Sequence, residues 1–270
     1  MKILFCGDVV GKAGRKLVMS CLPKLKEQLN LDFIIVNGEN AAHGFGISPK
    51  MYEAFLTQGA DVITLGNHSF DKPDIFPILN EKDNIIRPMN YPENTVGKGF
   101  CIVPSKSGVR VAVVQLLGSV FMRSVDSPFL AIQKWLETYK RGKDYDVLVV
   151  DFHAEATAEK VALGHFLDGH ASLVVGTHTH IPTADAHVLN SGTAYISDIG
   201  MCGDYDSVIG MKKELAFHRF LGGDKKGRLE PAEKNATFCA VCADIDEKTG
   251  RAREIFPVRI GQTLENTHEV

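Results

Sequence analysis

FCGDVVGKAG, residues 5–14, decides how the rest of the chain is read. A strand-forming run, KILFC at 2–6, ends at Gly7-Asp8, and Gly11-Lys12 follows before a helix can begin. The pattern invites comparison with a phosphate-binding P-loop. That loop needs G-x-x-x-x-G-K-[ST], so that backbone N–H groups wrap the phosphates and a hydroxyl reaches Mg2+. Here three residues separate Gly7 from Gly11, and Ala13 stands where the hydroxyl is required. The segment is instead a strand that delivers one carboxylate, Asp8, at its carboxyl end.

Five more apolar runs repeat the theme: FIIVN (33–37), DVITL (61–65), VAVVQLL (111–117), DVLVVDF (146–152) and SLVVGT (172–177). Each is short, rich in β-branched residues and bounded by turn formers, so each predicts a buried strand. Between the first two strands Val18, Leu22, Leu25 and Leu29 recur at helical spacing, with Pro23 expected to kink or divide the helix. Ser48-Pro49 and Ser127-Pro128 each supply an N-cap residue followed by proline at the first helical position. Alternating strands and helices predict an α/β protein. AHVLNSGTAYISDIG (186–200) predicts a hairpin turning at Asn190-Ser191-Gly192, and 236–244 and 253–260 predict two more strands. With no repeat or linker, residues 1–270 read as a single domain with a surface excursion around 203–234.

Composition narrows the function. Of 270 residues 44% are hydrophobic and 23% charged, ordinary values for a globular chain with a sizeable core. A net charge of −3 argues against a basic nucleic-acid platform, so no stable nucleic-acid complex is expected. No run approaches the roughly 18 apolar residues of a membrane span, and the N-terminal apolar run is too short for a signal-peptide core. The expectation is a cytoplasmic protein without a membrane partner. Six cysteines are scattered; Cys239 and Cys242 form a C-x-x-C inside a strand-like segment, which puts them on opposite faces and favours buried free thiols.

The informative residues follow the strands. Gly7-Asp8, Gly38-Glu39-Asn40, Gly66-Asn67-His68, Asp151 with His153, and THTH with His178 and His180 all lie at strand ends. Ligands in α/β sheets bind outside the carboxyl ends of strands, so these groups are placed to converge. Singly each has a plain explanation, as a helix cap, a turn or a hydrogen-bonded core histidine. Together they resist it, because burying carboxylates and several imidazoles at one edge costs several kcal/mol unless cations compensate. The donor set suits Fe, Mn or Zn better than Mg alone, and its size exceeds what one ion needs. A carboxylate such as Glu39 is able to bridge two ions roughly 3.5–4 Å apart.

In this order the motifs resemble those of the calcineurin-like metallophosphoesterases: D-x-H, G-D-x-x-D, G-N-H-[DE], a lone H, and G-H-x-H. The departures are Val10 for the first histidine, Glu39 for the bridging aspartate, Ser69 after GNH, and Thr177 between Gly176 and the His-x-His pair. With NGENAAHGFGI (37–47) and SDIGMCGDYDSVIG (197–210), these departures resemble the YmdB-like subgroup of bacterial cyclic-nucleotide phosphodiesterases. The likeness runs from Met1 to about Ile260.

The resemblance implies a four-layer α/β/β/α sandwich, two facing mixed sheets flanked by helices. It implies Asp8 and His180 on a first metal, Glu39 bridging, and Asn67, His153 and His178 on a second. Asn40 is the natural replacement for the ligand lost at Val10, through its amide oxygen. It implies two divalent or trivalent ions, iron or manganese with zinc as the alternative. The implied reaction is hydrolysis of a small, cyclic nucleotide phosphodiester by in-line attack of a metal-bridging hydroxide, with His68 as general acid. His43 and Gly44 are secondary candidates for touching substrate, against the plainer reading of a loop making local hydrogen bonds. Asp198 and Asp204-Tyr205-Asp206 read as turn residues, since their acidity repels phosphate, and His218 as part of a lid or an oligomer contact. Two other readings stay open: a dinuclear hydrolase of a non-phosphate ester or amide, and a metal- or nucleotide-binding regulator acting through partners. The pattern fits 2′,3′-cyclic, 3′,5′-cyclic and linear diesters alike, and leaves a homo-oligomer open.

Overall fold

Side chains alternate between two faces along each central strand, and that alternation sorts the core into layers. A computed structural model describes residues 1–222 and 228–269. The first half runs β1 (Lys2–Cys6), β2 (Asp8–Val9), α1 (Gly11–Gln28), β3 (Phe33–Asn37), α2 (Pro49–Thr57), β4 (Val62–Thr64), α3 (Phe76–Glu81), β5 (Ile85–Ile86), β6 (Phe100–Pro104) and β7 (Arg110–Leu117). The second half adds α4 (Pro128–Thr138), β8 (Val147–His153), α5 (Thr157–Phe166), β9 (Leu173–Thr177), β10 (His187–Val188) and β11 (Ala194–Ile196). It closes with β12 (Met201–Asp204), α6 (Lys213–Phe220), β13 (Ala236–Ile245) and β14 (Ala252–Gly261).

Two mixed sheets result. One has the order β2-β12-β13-β1-β3-β4-β5 with β14 also on β13, and the other β10-β11-β9-β8-β7-β6. Ile3 and Phe5 of β1 face the second sheet and meet Val111, Val113, Val147, Val149 and Val175 between the sheets. The intervening Leu4 and Cys6 point the other way, into a cluster with Val18, Leu22 and Leu25 of α1 and Tyr52 and Phe55 of α2. On the far side Ala112, Val114, Leu148 and Val150 meet Ile132 and Trp135 of α4 and Leu163 of α5. The order is helix, sheet, sheet, helix, the four-layer α/β/β/α sandwich.

Parallel pairing sets up the site. β1, β3 and β4 run parallel, so their carboxyl ends emerge at one edge of the first sheet. β7, β8 and β9 do the same in the second. The strands carrying Asp8, Glu39, Asn67, His153 and His178 therefore end on the sandwich edges where their polar groups lie.

Some local expectations need correction. Pro23 does not divide its helix; α1 is continuous across it. Proline forfeits one backbone bond, while Cys21, Leu22 and Leu25 around it are buried against the sheet and hold both halves to one surface. Ser48 precedes α2 but makes no side-chain cap bond, whereas Ser127 accepts from Leu130 N at 3.4 Å. The segment 203–234 is less loop-like than its composition suggests, since it holds the end of β12 and all of α6. Most of its GGDKKGR stretch (222–228) lies outside the described residues. The six cysteines are buried and free. Among the described residues no helix is long and apolar enough to cross a membrane.

Phe5 is fully buried between the sheets. Phe5→Ala is expected to destabilise the protein by about 3–5 kcal/mol, read as a lower urea midpoint at unchanged slope.

Candidate metal centre

The strand ends bring Asp8, Glu39, Asn67, His153, His178 and His180 together, most of them deeply buried. Their donor atoms form two groups, each within 4.8 Å: Asp8, Glu39 and His180, and Glu39, His153 and His178. Glu39 belongs to both.

The second group is the tighter. His153 Nε2 lies 3.0 Å from Glu39 Oε1, 3.0 Å from Asn67 Oδ1 and 3.1 Å from His178 Nδ1. One ring nitrogen cannot satisfy three partners by hydrogen bonding. Donors bound at about 2.1 Å to one ion at right angles lie about 3 Å apart, so this spacing fits a shared cation. The outer hydrogen bonds fix the tautomers in the same sense. Thr177 Oγ1 donates to Asp151 Oδ1 at 2.7 Å, so it must accept from His153 Nδ1 at 2.9 Å, which leaves Nε2 facing the cluster. His178 directs Nε2 at Glu155 Oε2, 3.2 Å away, and Nδ1 inward. Such outer partners are what orient metal-bound histidines.

In the first group, His180 Nδ1 donates to the Ile209 carbonyl at 2.8 Å, freeing Nε2, which is 3.9 Å from Asp8 Oδ1. Asp8 Oδ2 accepts from His178 N at 3.2 Å, but Asp8 Oδ1 is buried without a hydrogen-bond partner. Asn40 is the counterpart. Its Nδ2 donates to the Gly44 carbonyl at 3.0 Å, while its Oδ1 is also buried and unpartnered. Two buried oxygens without partners and a free imidazole nitrogen are donor chemistry a cation satisfies, and an unmet buried acceptor is costly otherwise. Val10 is buried beside Gly203 and Gly210 and offers no donor. The residues present fit a pair of ions.

The electrostatics agree. Burial pushes the Glu39 carboxyl up, but His153 opposite it more than offsets this and holds it at about 2. Burial pushes His153 down, and Glu39 with Asp8 and Asp151 more than reverses it, to about 9. Burial and the neighbouring His153 press His178 down to about 3. Burial raises Asp8, and raises Asp151 to about 6. Three carboxylates buried around His153 thus make the cluster favour positive charge.

Backbone geometry permits this crowding at Gly66, where a Cβ would lie 2.2 Å from Glu39 Oε2 and 2.6 Å from His153 Nε2. It is strained at His178 and His180, which have φ of 95° and 68°. A buried ion pair secures that loop. Lys160 Nζ lies 2.6 Å from Asp198 Oδ2, which also accepts from Thr179 N at 3.2 Å and Thr179 Oγ1 at 2.7 Å. Asp198 keeps the turn role its sequence suggests, accepting from Gly200 N at 2.8 Å, but it also clamps the residue between the two histidines.

His68 sits at the rim. Its backbone N–H donates to Glu39 Oε2 at 3.1 Å, and its Nδ1 is 2.8 Å from Asp71 Oδ2. The ring edges Phe45 at 5.0 Å between centroids and lines a cavity shared with Glu39, Asn40, His178 and His180. Asp71, Lys160 and the Thr177–Asp151 support were missed in the sequence. Asp71 was legible as a carboxylate three residues after His68, whereas the other contacts join distant elements. His43 is exposed, at φ 57°, and lines a depression with Lys212 and Arg228 apart from the cavity of His68. Gly44 gives its carbonyl to Asn40. Local loop closure at φ 86° accounts for this glycine.

The sequence profile described as YmdB-like protein matches residues 4–258. A Bacillus subtilis (strain 168) protein named 2′,3′-cyclic-nucleotide 2′-phosphodiesterase is 46% identical over 255 residues, covering 94% of this chain and 95% of its own. The crystal structure of a hypothetical protein from Thermus thermophilus superposes with TM-score 0.90 at 40% identity, covering 97% of this chain and 100% of that one. That of a phosphatase from Mycoplasma pneumoniae gives TM-score 0.90 at 34% identity, covering 97% and 93%.

Asp198→Ala leaves the buried Lys160 charge unpaired and is expected to cost about 3–5 kcal/mol. Denaturant unfolding would measure it, and a loss below about 1 kcal/mol would mean that the pair does not secure the loop.

Proposed function

The chain belongs to the YmdB-like family, and we propose that it is a single-domain cytoplasmic phosphodiesterase hydrolysing nucleoside cyclic phosphates with two metal ions. The observation that carries this reading is the pair of donor groups sharing Glu39, open to one cavity with His68 on its wall. The name of the Bacillus subtilis relative favours the 2′,3′-cyclic esters among the candidate diesters.

Asp8, His180 and Asn40 Oδ1 would hold one ion, His153, His178 and Asn67 Oδ1 the other, with Glu39 between them. Iron or manganese suits this nitrogen–oxygen set, and zinc is accommodated by it. When bound, the pair supplies Lewis-acid charge for the phosphoryl oxygens and an acidified water.

The chain's own residues do the rest. Asp71 engages His68 Nδ1, which orients the ring and leaves Nε2 to hold a proton at the cavity. As water adds to phosphorus in line, the bond to the ribose oxygen breaks and that oxygen leaves with the Nε2 proton. The proton lost by the attacking water restores the imidazolium, so the cycle balances without a covalent enzyme intermediate. Ribose alkoxide is a poor leaving group, and a positioned acid is worth about 10²–10⁴-fold. Phe45 against the ring keeps bulk water from one side of it.

His68→Ala is expected to lower kcat by about 10²–10⁴-fold with both ions still bound, read by steady-state kinetics beside elemental analysis. Unchanged kcat would remove His68 from the acid role. Asn40→Ala is expected to lower the metal content of purified, reconstituted protein from two per chain toward one. Retention of two would show that Asn40 is not a ligand.

A further inference from the structure

The cavity at the candidate metal centre has a volume of about 390 Å³, within the range that holds small molecules. Its two walls differ in kind. One is the polar set of Glu39, Asn40, His68, His178 and His180; the other is mostly apolar, built from Phe45, Ile209, Met211, Phe220 and Leu229, with Arg219 beside Phe220 as its one charged member. Phe45 packs on His68 and the Ile209 carbonyl holds His180, but the Ile209, Phe220 and Leu229 side chains offer no donor to an ion or a proton. The apolar wall is nevertheless firmly held. Met211 bridges to Val208 and to Pro231, Lys212 N donates to the Glu230 carbonyl at 2.9 Å, and Lys212 Nζ meets Glu230 Oε2 at 2.5 Å. These contacts anchor the start of α6, so that its last residue, Phe220, reaches the cavity.

Phe220 is 83% exposed and Ile209 50% exposed. Large apolar groups at the mouth of a polar cavity remain wetted until a ligand covers them, and covering them is favourable. The occupant must join a phosphate at the metal centre to a flat group with an apolar face, a short linker away. A nucleoside phosphate does this, its ribose spanning the gap.

We infer that the apolar wall is a nucleobase subsite, with Phe220 as its stacking platform and Phe45, Ile209 and Leu229 around it. The inference rests on the phosphodiesterase reading and names what that site selects. Stacking tolerates every base because each has a π-face, and purines offer more of it. The subsite therefore requires a base, and it favours purines over pyrimidines.

The test uses the full chain loaded with Mn2+ and two esters: adenosine 2′,3′-cyclic phosphate, and 1-O-methylribose 2,3-cyclic phosphate, which lacks the base. The quantity read is the ratio of their kcat/KM values. Phe220→Ala is expected to shrink that ratio about tenfold, chiefly through KM, and Phe220→Trp to restore it. An unchanged ratio in Phe220→Ala overturns the subsite. So do equal losses on both esters with a smaller particle in sedimentation, which would make α6 a contact between copies of the chain. If the wild type hydrolyses neither ester, the catalytic reading fails, and binding decides the subsite alone. Calorimetry would then compare adenosine 3′-phosphate with ribose 3-phosphate. A Phe220→Ala loss of about tenfold confined to the adenosine compound supports the subsite, and equal affinities for wild type and variant sink it.

Discussion

Glu39 and His153 face each other at 3.0 Å, both removed from water, one from each sheet of the sandwich. Much of the structure depends on that contact. An isolated buried carboxylate or imidazolium is costly, and a pair offsets the cost only with close geometry and further hydrogen bonds. Because the partners belong to different sheets, the sheets must close over the same edge for the carboxylate to meet the imidazole. Apolar packing between Ile3, Phe5, Val111 and Val149 brings them there. The polar edge then restricts the relative placement that non-directional packing leaves loose.

Around this pair the protein uses buried polar groups for orientation. Thr177 passes a hydrogen bond from His153 to Asp151, whose other oxygen takes Gln115 Nε2 at 3.0 Å. His180 is pinned by the Ile209 carbonyl, and the strained turn between His178 and His180 by Asp198 with Lys160. These contacts add no metal-binding atom. They decide which ring nitrogen faces the centre, and orientation of this kind tunes both affinity and geometry. Asp8 Oδ1 and Asn40 Oδ1 are among the buried side-chain atoms left without a hydrogen-bond partner, and both belong to candidate ligands.

Fold and site were legible to different depths. The central strands announced themselves through unbroken β-branched runs, because strands buried on both faces have no polar residues to interrupt them. β2 and β12 escaped notice, being two and four residues long and framed by glycine and aspartate. Asp8, Glu39, Asn67, His153, His178 and His180 were visible as polar residues ending apolar runs, so a local pattern sufficed to nominate them. Lys160 was invisible in this sense. A lysine in the first turns of a helix reads as solvated surface, and its pairing with a residue 38 positions away leaves no local trace.

The sequence by itself determined the strand cores, their order and the chemical types at their ends, since these follow from periodicity and side-chain chemistry along short stretches of chain. Tertiary structure alone decided that Thr177 and the Ile209 carbonyl fix which ring nitrogens of His153 and His180 face the centre, and that Lys160 pairs with Asp198. It also decided that Phe220 comes round to face the polar wall across the cavity. These are statements about distances between residues far apart in the chain. Distances of that kind are set by how twisted sheets and helices close on one another, not by any pattern a single segment carries.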